Sequence, residues 1–307
     1  MTMPNFLIIG AMKSGTTALY HYLGQHPRIY MSPKKEPRFF ALEGKKPDFR
    51  GPMDQERVNL ESITSLEKYR ALFQDVSDET VIGEASPLYL YSPEAPERIQ
   101  HHIPDAKLIA ILRNPVDRAY SSFMHCTRLG REPLGDFARA LSEEDRRIRE
   151  NWSPIWHYKR AGFYYAQLKR YLDTFDRDRI KVYLYEDLQI DPIHTARDAF
   201  QFLDVDDTYV PDTSLKYNVT GIVKNRLLHK YLHEPNWIKS GLRPLLPATL
   251  RKRIRYNLKN RNLVKPSLTP EVRRQLVVVY REDILKLQEL IDRDLSGWLE
   301  ESLGRDA

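Results

Sequence analysis

The residues Lys13, Ser14, Gly15, Thr16 and Thr17 follow closely on an apolar run, Phe6 to Ile9, and on Gly10. A cation, hydroxyls and two glycines in so short a stretch are the equipment of an oxyanion site. Glycines let a loop turn its N–H groups inward, and a helix starting behind the loop favours negative charge. The phosphate-loop pattern G-x-x-x-x-G-K-[ST] gives a useful comparison. Gly10, Gly15 and Thr17 fall on it, but Thr16 stands where the lysine belongs, and the lysine comes three residues earlier, at Lys13. That cation lies beside a different bond from the one a nucleoside triphosphatase breaks. Such an enzyme also wants an acidic residue at a neighbouring strand end to help hold magnesium. The clearest neighbouring strand, Lys107 to Leu112, ends in Arg113 instead. The pattern predicts phosphate binding without a metal.

Arg113 and Ser121 form a second candidate anion site, an arginine fork at a strand end and a hydroxyl about two helical turns later. Glu36 is the candidate general base. Lys34, Lys35 and Arg38 around it favour its ionised form, and Pro37, Phe39 and Phe40 are placed to fix it. A further strand end carries Glu84-Ala85-Ser86-Pro87-Leu88-Tyr89, which makes Glu84, Ser86 and Tyr89 candidate substrate contacts. Metal patterns are weak: His101 and His102 are adjacent rather than facing, and His233-Glu234 lacks a second histidine. There is no G-x-S-x-G nucleophile motif. The basic run Arg251-Lys252-Arg253-Ile254-Arg255 has no interleaved aromatics and reads as a solvated or anion-facing surface rather than a nucleic-acid interface.

These residues need rigid elements to hold them. A strand over Phe6 to Ile9 feeds the first loop, and a helix from about Thr16 carries Leu19, Tyr20 and Leu23 inward. Short strands are expected over 27–31 and Thr80 to Gly83, a long apolar one over Lys107 to Leu112, and another over Arg179 to Leu184. Helices are expected over Ser65 to Phe73, Pro93 to His102, from Pro115 towards Leu129, over Gly162 to Phe175, over Pro192 to Leu203, and from Pro270 to near Trp298. Alternation of strands and helices predicts a doubly wound α/β fold with a mostly parallel sheet. Ligands then lie beyond the carboxyl ends of the strands, which carry Lys13, Glu84, Arg113 and Glu186.

Composition is consistent with this. The 307 residues are 41% hydrophobic and 29% charged, the range of an ordinary globular protein, and form one expected domain with a core of about 4–230 and a helical part of about 231–307. The net charge of +6 suits an anionic ligand. Cys126 is the only cysteine, so no intrachain disulfide forms, as in a reducing compartment. With no apolar run of membrane-spanning length and a first strand that begins within a few residues of Met1, the expected location is the cytoplasm. Asn218-Val219-Thr220 matches a glycosylation sequon that this setting would leave unused.

With Lys13-Ser-Gly-Thr-Thr17, Lys35-Glu36-Pro-Arg-Phe39-Phe40 and Arg113-Asn-Pro-Val-Asp-Arg-Ala-Tyr-Ser121 in that order, the chain resembles the sulfotransferases. The similarity is to the branch that holds the heparan sulfate sulfotransferase domains and many bacterial enzymes. It covers about residues 4–230 and, more loosely, the terminal helix. The resemblance implies a P-loop-like three-layer fold and sulfuryl transfer from 3′-phosphoadenosine 5′-phosphosulfate (PAPS) to a hydroxyl or amine, with no metal. It implies that Lys13 to Thr17 hold the 5′-phosphosulfate and that Lys13 neutralises the bridging oxygen. By the same resemblance Arg113 and Ser121 hold the 3′-phosphate, and Glu36 deprotonates the acceptor. Gly221, Lys224 and Arg226 match a further cofactor segment less closely. Three departures point away from a heparan substrate: Ala85 where that branch has lysine, the lone Cys126, and the absence of a Golgi-type anchor. They imply a soluble bacterial-type enzyme with a small-metabolite, lipid or glycan acceptor. Competing with this are a P-loop small-molecule kinase, which Thr16 and Arg113 disfavour, and a nucleotide-binding module without catalysis, which Lys13 and Glu36 disfavour.

Overall fold

A computed structural model describes residues 2–215, 222–223, 263–264 and 268–300. In chain order its first half runs β1 (Phe6–Gly10), α1 (Thr16–Leu23), β2 (Ile29–Met31), α2 (Phe39–Leu42), α3 (Leu66–Arg70), β3 (Val81–Ala85), α4 (Leu88–Tyr91), α5 (Ala95–His102) and β4 (Lys107–Leu112). The second half runs α6 (Pro115–Arg128), α7 (Phe137–Ser142), α8 (Glu144–Arg149), α9 (Tyr164–Leu172), β5 (Ile180–Leu184), α10 (Tyr185–Ile190), α11 (Pro192–Phe202), the two-residue strands β6 (Ile222–Val223) and β7 (Leu263–Val264), and α12 (Pro270–Ile291).

Five strands pair in parallel in the order β2-β3-β1-β4-β5. Successive side chains of a strand point to opposite faces, so β1 sends Leu7 and Ile9 into one core and Phe6 and Ile8 into another. In the first, α4, α5, α6, α9 and α12 cover the sheet; in the second, α1 and α11 do. Burial on both faces explains why β1 and β4 are apolar almost throughout. The α/β expectation is met: a parallel sheet lies between two helical layers. The expected helix over 65–73 is α3 continued by a 3₁₀ turn, Ala71–Phe73, with the Ser65 hydroxyl accepting from the Lys68 N–H as the cap. Tyr20 is only partly buried; Tyr22 takes the inward place, and the Tyr20 hydroxyl donates to the Ser32 carbonyl at 2.7 Å. α12 ends at Ile291, and Trp298 belongs to a separate 3₁₀ turn, Ser296–Leu299.

Candidate active site

The loop between β1 and α1 is held in an unusual backbone path. Gly15 has φ 92°, and a β-carbon there would lie 2.9 Å from Leu188 and 3.0 Å from the Tyr185 ring. Lys13 also takes a left-handed φ, 69°, which is uncommon for a residue with a side chain. Gly15 is the N-cap of α1, no side chain caps that end, and its first turn holds no acidic residue. The helix end therefore presents N–H groups and a positive dipole to the cleft.

At the end of β4, Arg113 donates from its guanidinium to the Lys13 carbonyl at 3.2 Å, and its Cζ lies 4.5 Å from the Tyr185 ring centroid. Asn114 caps α6, accepting from Val116 and Asp117 N–H, and Pro115 fits the first helical position. α6 then carries Ser121 and, one turn on, His125 to the same cleft. The cleft, of about 300 Å³, is lined by Lys13, Gly15, Thr16, Thr17, Glu36, Arg113, Ser121, His125 and Tyr185 together with Arg57, Leu129, Arg131 and Ile155.

Charge in this cleft is unbalanced. Burial, and then the cations Arg128 and Arg113, lower the Lys13 ammonium to about 7. Burial and the same cationic surroundings, Lys13 first, hold His125 neutral, down to about 2. An anion between Lys13 and Arg113 would relieve this repulsion, as a phosphate site requires.

Glu36 faces the cleft from the segment after β2. Lys35 donates to its Oε1 at 2.8 Å and Arg38 to its Oε2 at 3.2 Å. Burial opposes its charge, but Lys35 and Arg38 outweigh that and hold the carboxyl down to about 2. Lys34, expected among its partners, pairs instead with Glu61 at 3.3 Å. A second hollow, of about 420 Å³, opens on the outer side of Glu36 between Lys34, Lys35, Arg38, Met53, Glu56, Arg57 and Glu61.

The structure brings Lys13, Gly15, Thr16, Thr17, Glu36, Arg113 and Ser121 to one cleft. The Ser14 side chain is fully buried and does not line the cleft. Glu84, Ser86 and Tyr89 also have no exposed surface and do not line the cleft, to which their neighbours Pro87 and Leu88 contribute. Glu186 lies in α10, accepting from the Asn114 N–H at 3.4 Å, and leaves the strand end to Tyr185. Gly221, Lys224 and Arg226 lie outside the described residues.

Tyr185 and His125 also line the cleft, although no motif marks either as a site residue. Tyr185 directly follows a strand, and His125 stands four residues after Ser121 on the same helix, so both carried a signal. Arg131 lines the cleft as well. It is buried, ion-paired with Asp54 and set over the Trp156 ring, and these partners come from distant parts of the chain. Among the described residues no three His, Cys, Asp or Glu side chains converge as a metal site. Among them, too, no helix is long and apolar enough to cross a membrane.

A family model described as "Sulfotransferase family" matches residues 4–209. The crystal structure of a sulfotransferase from Alicyclobacillus acidocaldarius superposes with a TM-score of 0.79 and 37% identity, covering 98% of this chain and 100% of that one. Human heparan sulfate glucosamine 3-O-sulfotransferase 6 is 30% identical over 220 residues, 71% of this chain and 56% of that protein. The membrane-associated sulfotransferase kil1 of Dictyostelium discoideum is 36% identical over 123 residues, 40% of this chain and 23% of that protein. The chain thus matches only part of the length of these curated relatives.

Proposed function

The chain belongs to the sulfotransferase family, and we propose that it moves a sulfuryl group from PAPS to a hydroxyl or amine, with Lys13 and Glu36 as its catalytic residues. PAPS supplies the activated sulfuryl group on a phosphosulfate. The observation that carries the proposal is the shared cleft: an uncapped helix N-terminus with Lys13, an arginine fork with a hydroxyl, and an ionised carboxylate all line it. Two anion sites in one cleft fit a ligand with separated 5′ and 3′ phosphates.

In this reading Thr16, Thr17 and the α1 N-terminus hold the 5′ side, and Arg113 and Ser121 hold the 3′-phosphate. Lys13 offsets the charge that gathers on the bridging oxygen as the sulfur–oxygen bond breaks. Gly221, Lys224 and Arg226 remain part of the proposed cofactor set by resemblance alone.

Glu36 takes the acceptor proton. A carboxylate held near 2 is fully ionised at neutral pH but a weak base towards a free alcohol. Transfer becomes favourable only as the new oxygen–sulfur bond makes the acceptor oxygen acidic, so proton loss accompanies bond formation. Lys35 and Arg38, which hold Glu36 in place, then also lower its basicity before the reaction.

The acceptor would enter through the outer hollow. Its mixed charges, with Arg57 and Met53 at the rim, favour a polar acceptor such as a glycan or a small hydroxylated metabolite over a purely alkyl alcohol. Cys126, buried and unpaired, fits the cytoplasmic setting expected from the sequence. Labelled PAPS incubated with a mixture of sugar, phenol and alkyl-alcohol acceptors tests the proposal: label on an acceptor supports it. Nucleoside triphosphate turnover that requires magnesium would favour the kinase reading instead.

A further inference from the structure

Behind Glu36 lies a buried polar cluster that no step above uses. Glu84 has no exposed surface, and its Oε1 accepts from the Tyr89 hydroxyl at 2.6 Å and the Tyr69 hydroxyl at 3.2 Å. The Tyr89 hydroxyl in turn accepts from the Phe40 N–H at 3.4 Å. Beside them, the Ser86 hydroxyl accepts from the Arg38 N–H at 2.9 Å, and the Ala85 carbonyl accepts from the Glu36 N–H at 3.0 Å. The end of β3, the turn after it and α4 thus receive the N–H groups of Glu36, Arg38 and Phe40.

That segment is where the backbone most needs support. Glu36 and Arg38, on either side of Pro37, both have φ 61°. Non-glycine residues hold such angles only where the surroundings over-determine them. The left-handed path decides where the Glu36 carboxylate points and lets the Arg38 guanidinium meet it at 3.2 Å. Tyr69 adds a packing contact, stacking on Phe39 with ring centroids 4.4 Å apart. A carboxylate buried among phenols is costly compared with an apolar residue of similar size, so a cluster that only filled space would be a poor use of the position. The polar and charged groups facing Glu84 are Tyr69, Tyr89 and Ser86, with Glu36 and Tyr20 further off.

We propose that Tyr89 and Glu84 are positioning residues for Glu36: bonded to each other, and to the Phe40 N–H through the Tyr89 hydroxyl, they fix the 36–40 loop in the path that aims the carboxylate into the cleft. The inference rests on Glu36 acting as the base. It distinguishes a residue that sets the direction of the base from one that contacts the acceptor, because neither side chain lines the cleft.

The test compares wild type with Tyr89→Phe, Glu84→Gln and Glu84→Ala, measuring affinity for the 3′,5′-bisphosphate product (PAP) and turnover of labelled PAPS against a fixed mixture of sugar, phenol and alkyl-alcohol acceptors. Wild type that neither binds PAP nor transfers label would overturn the sulfotransferase reading, and this inference with it, before any variant is compared. Given wild-type turnover, Tyr89→Phe is expected to lower it by about tenfold or more at saturating PAPS, with PAP affinity changed by less than about twofold. Glu84→Gln keeps an oxygen for both phenols and is expected to stay within about threefold of wild type, while Glu84→Ala falls with Tyr89→Phe. Turnover of Tyr89→Phe within about twofold of wild type, PAP affinity lost in step with turnover, or Glu84→Gln as slow as Glu84→Ala would overturn the proposal.

Discussion

The Arg113 guanidinium donates to the backbone carbonyl of Lys13 at 3.2 Å, so the end of β4 is tied directly to the loop that follows β1. The two proposed anion-binding groups are therefore held at a fixed spacing by adjacent strands of one sheet. Arg113→Ala is expected to weaken PAP binding by roughly 1.5–3 kcal/mol, the value of a hydrogen bond to a charged group. The loss should be much smaller for adenosine 5′-phosphate or adenosine 5′-phosphosulfate, which lack the 3′-phosphate. Calorimetric titrations with both ligand types check this, and equal losses would remove Arg113 from the 3′ site.

Lys13 is expected to give the binding step a pH dependence. Its ammonium is lowered to about 7 in the free protein, chiefly by burial and then by Arg128. A bound dianion favours the charged form, so binding raises that value and takes up a proton. Affinity should be full below about pH 7 and fall as pH rises through it, by at most about tenfold per unit. Calorimetry at pH 7.5–8 (roughly where free Lys13 is mostly neutral) in buffers of different ionisation enthalpy should show the uptake. Lys13→Ala should remove the uptake and abolish transfer. Equal uptake in Lys13→Ala would assign the proton elsewhere.

Asp54 should matter for stability. It is fully buried, ion-pairs with Arg131, and accepts from the N–H groups of Gly51 and Ser153 and from the Ser153 hydroxyl. These bonds tie the stretch before the π-helical turn Gln55–Asn59, which carries Arg57 and Val58 to the cleft, to the wall at 153–155. Asp54→Ala leaves Arg131 buried without its partner and is expected to cost roughly 3–5 kcal/mol. Denaturant unfolding measures this, and a change below about 1 kcal/mol would show that the pair is dispensable.

The sequence made one half of the cleft legible. An apolar run, two glycines and a lysine placed β1, its loop and α1, because each of these signals is local. The strand ending in Arg113, with Pro115 to start α6, made the approach of Arg113 and Ser121 to the cleft legible in the same way. The burial of Glu84, Ser86 and Tyr89 was not legible, because it depends on Tyr69 in α3 and on the 36–40 segment, neither of which is near them in sequence. α10 was missed as a helix because six residues with two acids in the first turn give little period to read. The Asp54–Arg131 pair joins positions 77 residues apart, a distance over which no local pattern reports.

The central claim is that Glu36 takes the proton while the cleft binds the sulfuryl donor, and Glu36→Gln tests it most directly. A glutamine keeps one side-chain oxygen, for Lys35 or for Arg38, and the bonds of the Glu36, Arg38 and Phe40 N–H groups to Ala85, Ser86 and Tyr89 are expected to hold the loop in shape. The measurement is transfer from labelled PAPS to the acceptor mixture, made alongside PAP binding. Glu36→Gln is expected to bind PAP with affinity within about twofold of wild type and to lose transfer by about a hundredfold or more, as the removal of a general base predicts. Full transfer by Glu36→Gln would contradict the account.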